Sequence, residues 1–129
     1  MNREFIPYEQ AVEINDLGFN EDCLAFYILS EKRNINSPFL RITNIESEKI
    51  LNAAHKIFDV KYVLTPLYQQ AFRFFREKYF LGHGINPYSL DAHLIDLEDC
   101  IFYDIDDVYT YEEAELACLK KIIEIVKNK

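Results

Sequence analysis

Ten carboxylates and no positive charge fall between Tyr79 and Leu119: Asp91, Asp96, Glu98, Asp99, Asp104, Asp106, Asp107, Glu112, Glu113 and Glu115. The same stretch holds two of the three histidines, His83 and His93, while His55 stands apart. Carboxylates beside imidazoles are the groups of acid–base catalysis and of many metal sites. The spacing a metal needs is missing, because no His-x-His pair and no Asp-x-Asp-x-Asp-Gly loop occurs. Asp104, Asp106 and Asp107 do not replace it, since adjacent strand residues point to opposite faces. His83 lies between two glycines and reads as a loop residue, whereas His93 opens a hairpin. We therefore expect no metal ligand set, no cofactor and no catalytic residue. A metal-dependent enzyme using these carboxylates with His83 or His93 is the alternative reading.

The other reactive side chains point the same way. Cys23, Cys100 and Cys118 are odd in number, far apart, and set in apolar stretches. They read as buried free thiols of a reducing compartment. No Gly-rich phosphate loop, Gly-x-Ser-x-Gly elbow or Cys-x-x-Cys motif is present. The run Phe72 to Phe80 mixes aromatics with Arg73, Arg76 and Lys78, a composition that stacks on bases and pairs with phosphates in some proteins. Here the helical spacing puts the aromatics on one face and the bases on the other, which describes a core helix. A net charge of −8 also weighs against nucleic acid as the partner, and nucleic-acid binding through an exposed patch of Arg73, Arg76 and nearby lysines is the second alternative reading.

What remains is electrostatics. Ten of the 22 acids and none of the 14 basic residues lie in one stretch, which leaves the rest of the chain net positive. Like charges on neighbouring strands repel, so such a patch lowers stability unless a partner offsets it. We expect Asp96, Glu98, Asp104 and Asp106 to share a solvent face and, with Asp107, to form the contact surface for a basic protein partner. Their role there is steering and register.

The elements that must carry these residues are legible in part. A length of 129 residues predicts a single domain over 1–129. Pro7 before Tyr8, Ala11 and Ile14, then Gly18 and Phe19, spells a first helix with a Schellman ending. Cys23 to Leu29 and Phe39 to Thr43 read as strands, with a polar loop from Ser30 to Pro38 between them. A helix is expected over about 46–57 and a short β-like stretch from Lys61 to Thr65. Thr65-Pro66 caps an aromatic-faced helix that Gly82 and Gly84 end. His93 to Leu97 and Ile101 to Ile105 form a hairpin around Glu98-Asp99-Cys100, its core face carrying Ile95, Leu97, Ile101, Tyr103 and Ile105. Thr110 and Glu113 form a capping box for a last helix over about 111–127. Strands and helices do not alternate strictly. The fold class is therefore α+β: one small antiparallel or mixed sheet packed by three to four helices in a single pair of layers.

Three segments carry a resemblance. They are Phe5-Ile6-Pro7-Tyr8-Glu9-Gln10-Ala11 with Leu17-Gly18-Phe19, the helix Tyr68 to Tyr79, and Tyr111-Glu112-Glu113-Ala114-Glu115-Leu116-Ala117-Cys118-Leu119-Lys120-Lys121 running on to Lys127. In this order they resemble a family of short proteins from Bacteroidetes and their phages and prophages. Phe74 departs from that pattern, where the family has Trp, and this is a packing change. The resemblance implies a cytoplasmic accessory protein of a phage or integrated element. It implies no activity, so no catalytic residue carries over. No run is apolar enough to span a membrane, and the N-terminus lacks a secretory pattern, so a cytoplasmic location without membrane contact is expected.

Overall fold

The computed structural model describes residues 4–30, 39–45 and 60–129. The helix expected over 46–57, with His55 in it, and the polar loop leading to Pro38 lie outside the described residues. The chain divides into two compact units, Met1–Leu67 and Tyr68–Lys129.

In the first unit, helix α1 (Tyr8–Asp16) follows Pro7, whose fixed φ of −65° presets the entry. It ends as the sequence predicts. Gly18 takes φ 95°, Phe19 N–H donates to the Ile14 carbonyl at 3.2 Å, and Gly18 N–H donates to that of Asn15 at 3.0 Å. A Schellman turn needs that left-handed residue, which a side chain would strain. Three strands follow: β1 (Cys23–Ser30), β2 (Phe39–Ile45) and β3 (Val60–Thr65). They form an antiparallel sheet in the order β2-β1-β3, with α1 packed on β3.

At its C-terminal end the outer edge of β3 is closed by side chain and backbone together. Asn15 donates through Nδ2 to the Leu64 carbonyl at 2.8 Å and accepts from Leu64 N–H through Oδ1 at 3.3 Å. Its amide thus mimics the backbone of a further strand. Beyond it, Ile6 N–H donates to the Pro66 carbonyl at 3.1 Å and Phe5 bridges Leu67. Thr65 therefore ends a strand and is buried, with its hydroxyl donating to the Val63 carbonyl. The expected helix cap at Thr65-Pro66 is displaced by this pairing, and the helix begins at Tyr68 instead.

The second unit runs α2 (Tyr68–Tyr79), β4 (Leu81–Ile85), β5 (Ala92–Asp96), β6 (Ile101–Ile105) and α3 (Tyr111–Lys127). Tyr68, Phe72 and Phe75 are buried on α2 while Arg73 and Arg76 are exposed, as the periodicity predicts. Phe80, at φ 58°, breaks the helix and turns the chain into β4. The two glycines that read as a helix stop are strand residues. They stand opposite Ile95 and His93, and a Cβ on Gly84 would lie 2.6 Å from the His93 ring. Close approach, not a turn, explains them.

The β4-β5-β6 sheet is antiparallel throughout. One face carries Leu81, His83, Leu94 and Tyr103 toward α2 and α3, where Phe75, Leu119 and Ile122 complete the core. Thr110 caps α3 by accepting from Glu113 N–H at 3.1 Å, as expected. The Glu113 carboxylate reaches back to Tyr109 N–H, one residue before the cap. The α+β class holds, with antiparallel strands and three helices among the described residues. It is built from two three-stranded sheets rather than one.

Candidate functional site

The acidic stretch runs along β5, β6 and the segments at their ends. Pairing of Leu94 with Tyr103 and of Ile95 with Phe102 fixes which side chains share a face. Ile101, Tyr103 and Ile105 lie on the helix side, as expected, but Tyr103 and Ile105 are only half-buried there and Ile101 is exposed. The face assigned to β5 is reversed: Ala92, Leu94 and Asp96 face the helices, and His93 and Ile95 face away. The connection spans Leu97–Cys100, one residue longer than expected, so Leu97 leaves the strand and is 48% exposed. Because side chains alternate, a choice of one residue reverses the whole strand.

Asp96 is consequently not on the solvent face. It is 1% exposed and organises the β5–β6 turn. Its Oδ1 accepts from Glu98 N–H at 3.0 Å and Asp99 N–H at 3.2 Å, and its Oδ2 accepts from Lys129 Nζ at 3.3 Å. The Asp99 N–H bond holds its carboxyl below the usual carboxylate range against the upward push of burial, aided by Glu98 N–H and Lys129. Cys100 closes this turn with φ 55° and is exposed, unlike the buried Cys23 and Cys118. Burial pushes the Cys23 thiol up to about 12, with Glu21 and Asp22 adding to it. It pushes Cys118 up to about 11, with Glu115 adding to it. Neither thiol forms a nucleophilic thiolate near neutral pH.

Glu98, Asp104, Asp106 and Asp107 are exposed. They do not gather at one point: Glu98 sits in the turn before β6, and Asp106 and Asp107 follow its other end. Asp104 and Asp106 converge with Asp91, His93 and Phe102 around an open cleft of about 500 Å³. Asp104 pairs with His93 across the strands, and the His93 ring tilts against Phe102 at 6.3 Å between centroids. Phe102 is 66% exposed. Asp91, one of the ten acids of the stretch, and Phe102 are not among the contact residues expected from the sequence. The signal for Phe102 was present, because it occupies the polar phase of an alternating strand.

The two histidines occupy opposite faces of the sheet. His83 stacks on Phe72 at 3.6 Å between centroids and 15° between planes. Burial pushes its pKa down, and the positive charges of Arg76 and His93 push the same way. It faces the helices, whereas His93 joins the acidic cleft. Among the described residues, no three His, Cys, Asp or Glu side chains are arranged to hold a metal ion. No helix among them is long and apolar enough to cross a membrane.

No protein family, no curated protein and no solved structure matches the chain.

Proposed function

We propose that this chain is a non-catalytic accessory protein of a phage or mobile element, acting in the cytoplasm by binding a basic protein partner. The contact surface is the open side of the second sheet, with Asp104 and Asp106 at the cleft, Asp107 next to them in the chain and Glu98 at the other end of β6. Asp91 and Phe102 join that surface, and Asp96 supports it from below by holding the turn. The observation that carries this reading is an exposed aromatic ring, Phe102, set among Asp91, Asp104 and Asp106 in a stretch without one lysine or arginine. An apolar anchor ringed by charges of one sign fits a partner of the opposite sign.

The test compares proteins bound by the immobilised wild type with those bound by the triple variant Asp104→Asn, Asp106→Asn, Asp107→Asn. Asn tolerates the left-handed backbone of Asp107, at φ 61°, so the variant is expected to fold. The reading predicts a basic partner that is lost in the variant and released by salt. Retention of the same proteins by the variant at every salt concentration contradicts it.

A further inference from the structure

We infer that the partner binds by adding an extended, basic strand to the outer edge of β6. This inference rests on the proposed function for the sign of the partner's charge, but its geometric basis is separate. A sheet edge presents a row of unpaired N–H and C=O groups, and proteins ordinarily cover or distort it. The first unit does this at β3, where the Asn15 amide takes both backbone groups of Leu64. Among the described residues, β6 has β5 on one side and no strand on the other. Its ladder with β5 runs through five consecutive pairs without a bulge, and it contains no proline. Its side chains are open as well, with Ile101 44% and Phe102 66% exposed, whereas those of β4 at the opposite edge are buried or half-buried.

Charge selects the occupant. Asp104 and Asp106 flank the edge, so a second copy of this chain would bring one acidic stretch against another. A strand bearing lysine or arginine is attracted instead. Side chains two apart on an added strand share a face. Those facing Phe102 and Asp104 would therefore be one apolar and one basic residue at positions i and i+2. The cleft of about 500 Å³ beside Phe102, Asp104 and Asp106 accommodates the basic side chain. Main-chain bonds supply affinity, and the alternating side chains supply selectivity.

The experiment is an NMR titration of the isotope-labelled full chain with three capped eight-residue peptides in which residues i and i+2 differ: a repeat of Lys-Lys-Val-Val (Lys-Val), of Lys-Lys-Pro-Pro (Lys-Pro) and of Glu-Glu-Val-Val (Glu-Val). Proline removes half of the backbone donors and disfavours a strand at equal charge. The expected result is Lys-Val binding at least about tenfold tighter than Lys-Pro, with amide exchange slowed within Ile101–Ile105. Equal binding of the two basic peptides, or protection elsewhere, overturns strand addition and leaves the basic-partner reading standing. Binding of Glu-Val as tight as Lys-Val overturns the basic partner and leaves an unselective edge. Absence of binding by either basic peptide at millimolar concentration overturns both. Concentration-dependent broadening confined to β6 without peptide identifies a second copy as the occupant and also overturns the inference.

Discussion

Strands β3 and β6 both lie at the edge of a three-stranded antiparallel sheet, and the chain treats them in opposite ways. At β3 one asparagine from α1 satisfies the donor and acceptor of Leu64, and the Phe5–Leu67 bridge continues the closure. At β6 the outer side has no strand among the described residues, and the side chains there are Phe102 and two aspartates. The difference separates two ways of managing an edge. A covering group stabilises the fold and forbids pairing. A run of like charge leaves the backbone available and only selects who can approach.

That comparison makes stability predictions of graded size. The largest concerns what holds the second sheet from behind. Leu94 is fully buried against the helices, and Leu94→Ala is expected to cost about 2–5 kcal/mol in urea denaturation. Next, Asn15→Ala strips partners from Leu64 N–H and C=O and is expected to cost about 1–3 kcal/mol. A smaller effect comes from His83, whose pKa lies lower in the folded chain than in the unfolded one. The unfolded state then binds more protons, so stability is complete well above pH 6.5 and declines as the pH falls below it. His83→Phe, which preserves the ring against Phe72, is expected to flatten that decline in denaturation curves from pH 7.5 to 5. At the edge itself, Phe102→Ser is expected to change stability by no more than about 0.5 kcal/mol. A loss from Phe102→Ser as large as that from Asn15→Ala would break the comparison, because β6 would then be serving the fold.

Much of this arrangement is local and therefore readable from sequence. Pro7, Gly18 and Phe19 announce α1 and its ending, and Thr110 with Glu113 announces α3, because caps depend on neighbours a few residues away. The strand Leu81–Ile85 is not readable that way. Its glycines look like a helix stop until His93 and Ile95 are known to lie against them. The start of α2 moved for the same reason, since Thr65 is claimed by the pairing near Phe5. Of the acidic residues, Glu98, Asp104, Asp106 and Asp107 are exposed as their sequence context implies. Asp96 is buried because the β5–β6 turn starts at Leu97, and nothing local distinguishes that start from one at Glu98. Both phases of β5 carry apolar residues, Ala92 and Leu94 in one and Ile95 and Leu97 in the other, so alternation alone did not choose between them.

The most direct test of the contrast between the two edges is residue-resolved amide exchange on the unliganded chain. A closed β3 and an open β6 predict that Leu64 N–H is protected by Asn15 and loses protection in Asn15→Ala. They also predict that protection alternates along Ile101–Ile105, with amides bonded to β5 slow and the intervening ones fast. Uniformly slow exchange along Ile101–Ile105 would mean that the β6 edge is already covered, and would contradict the account.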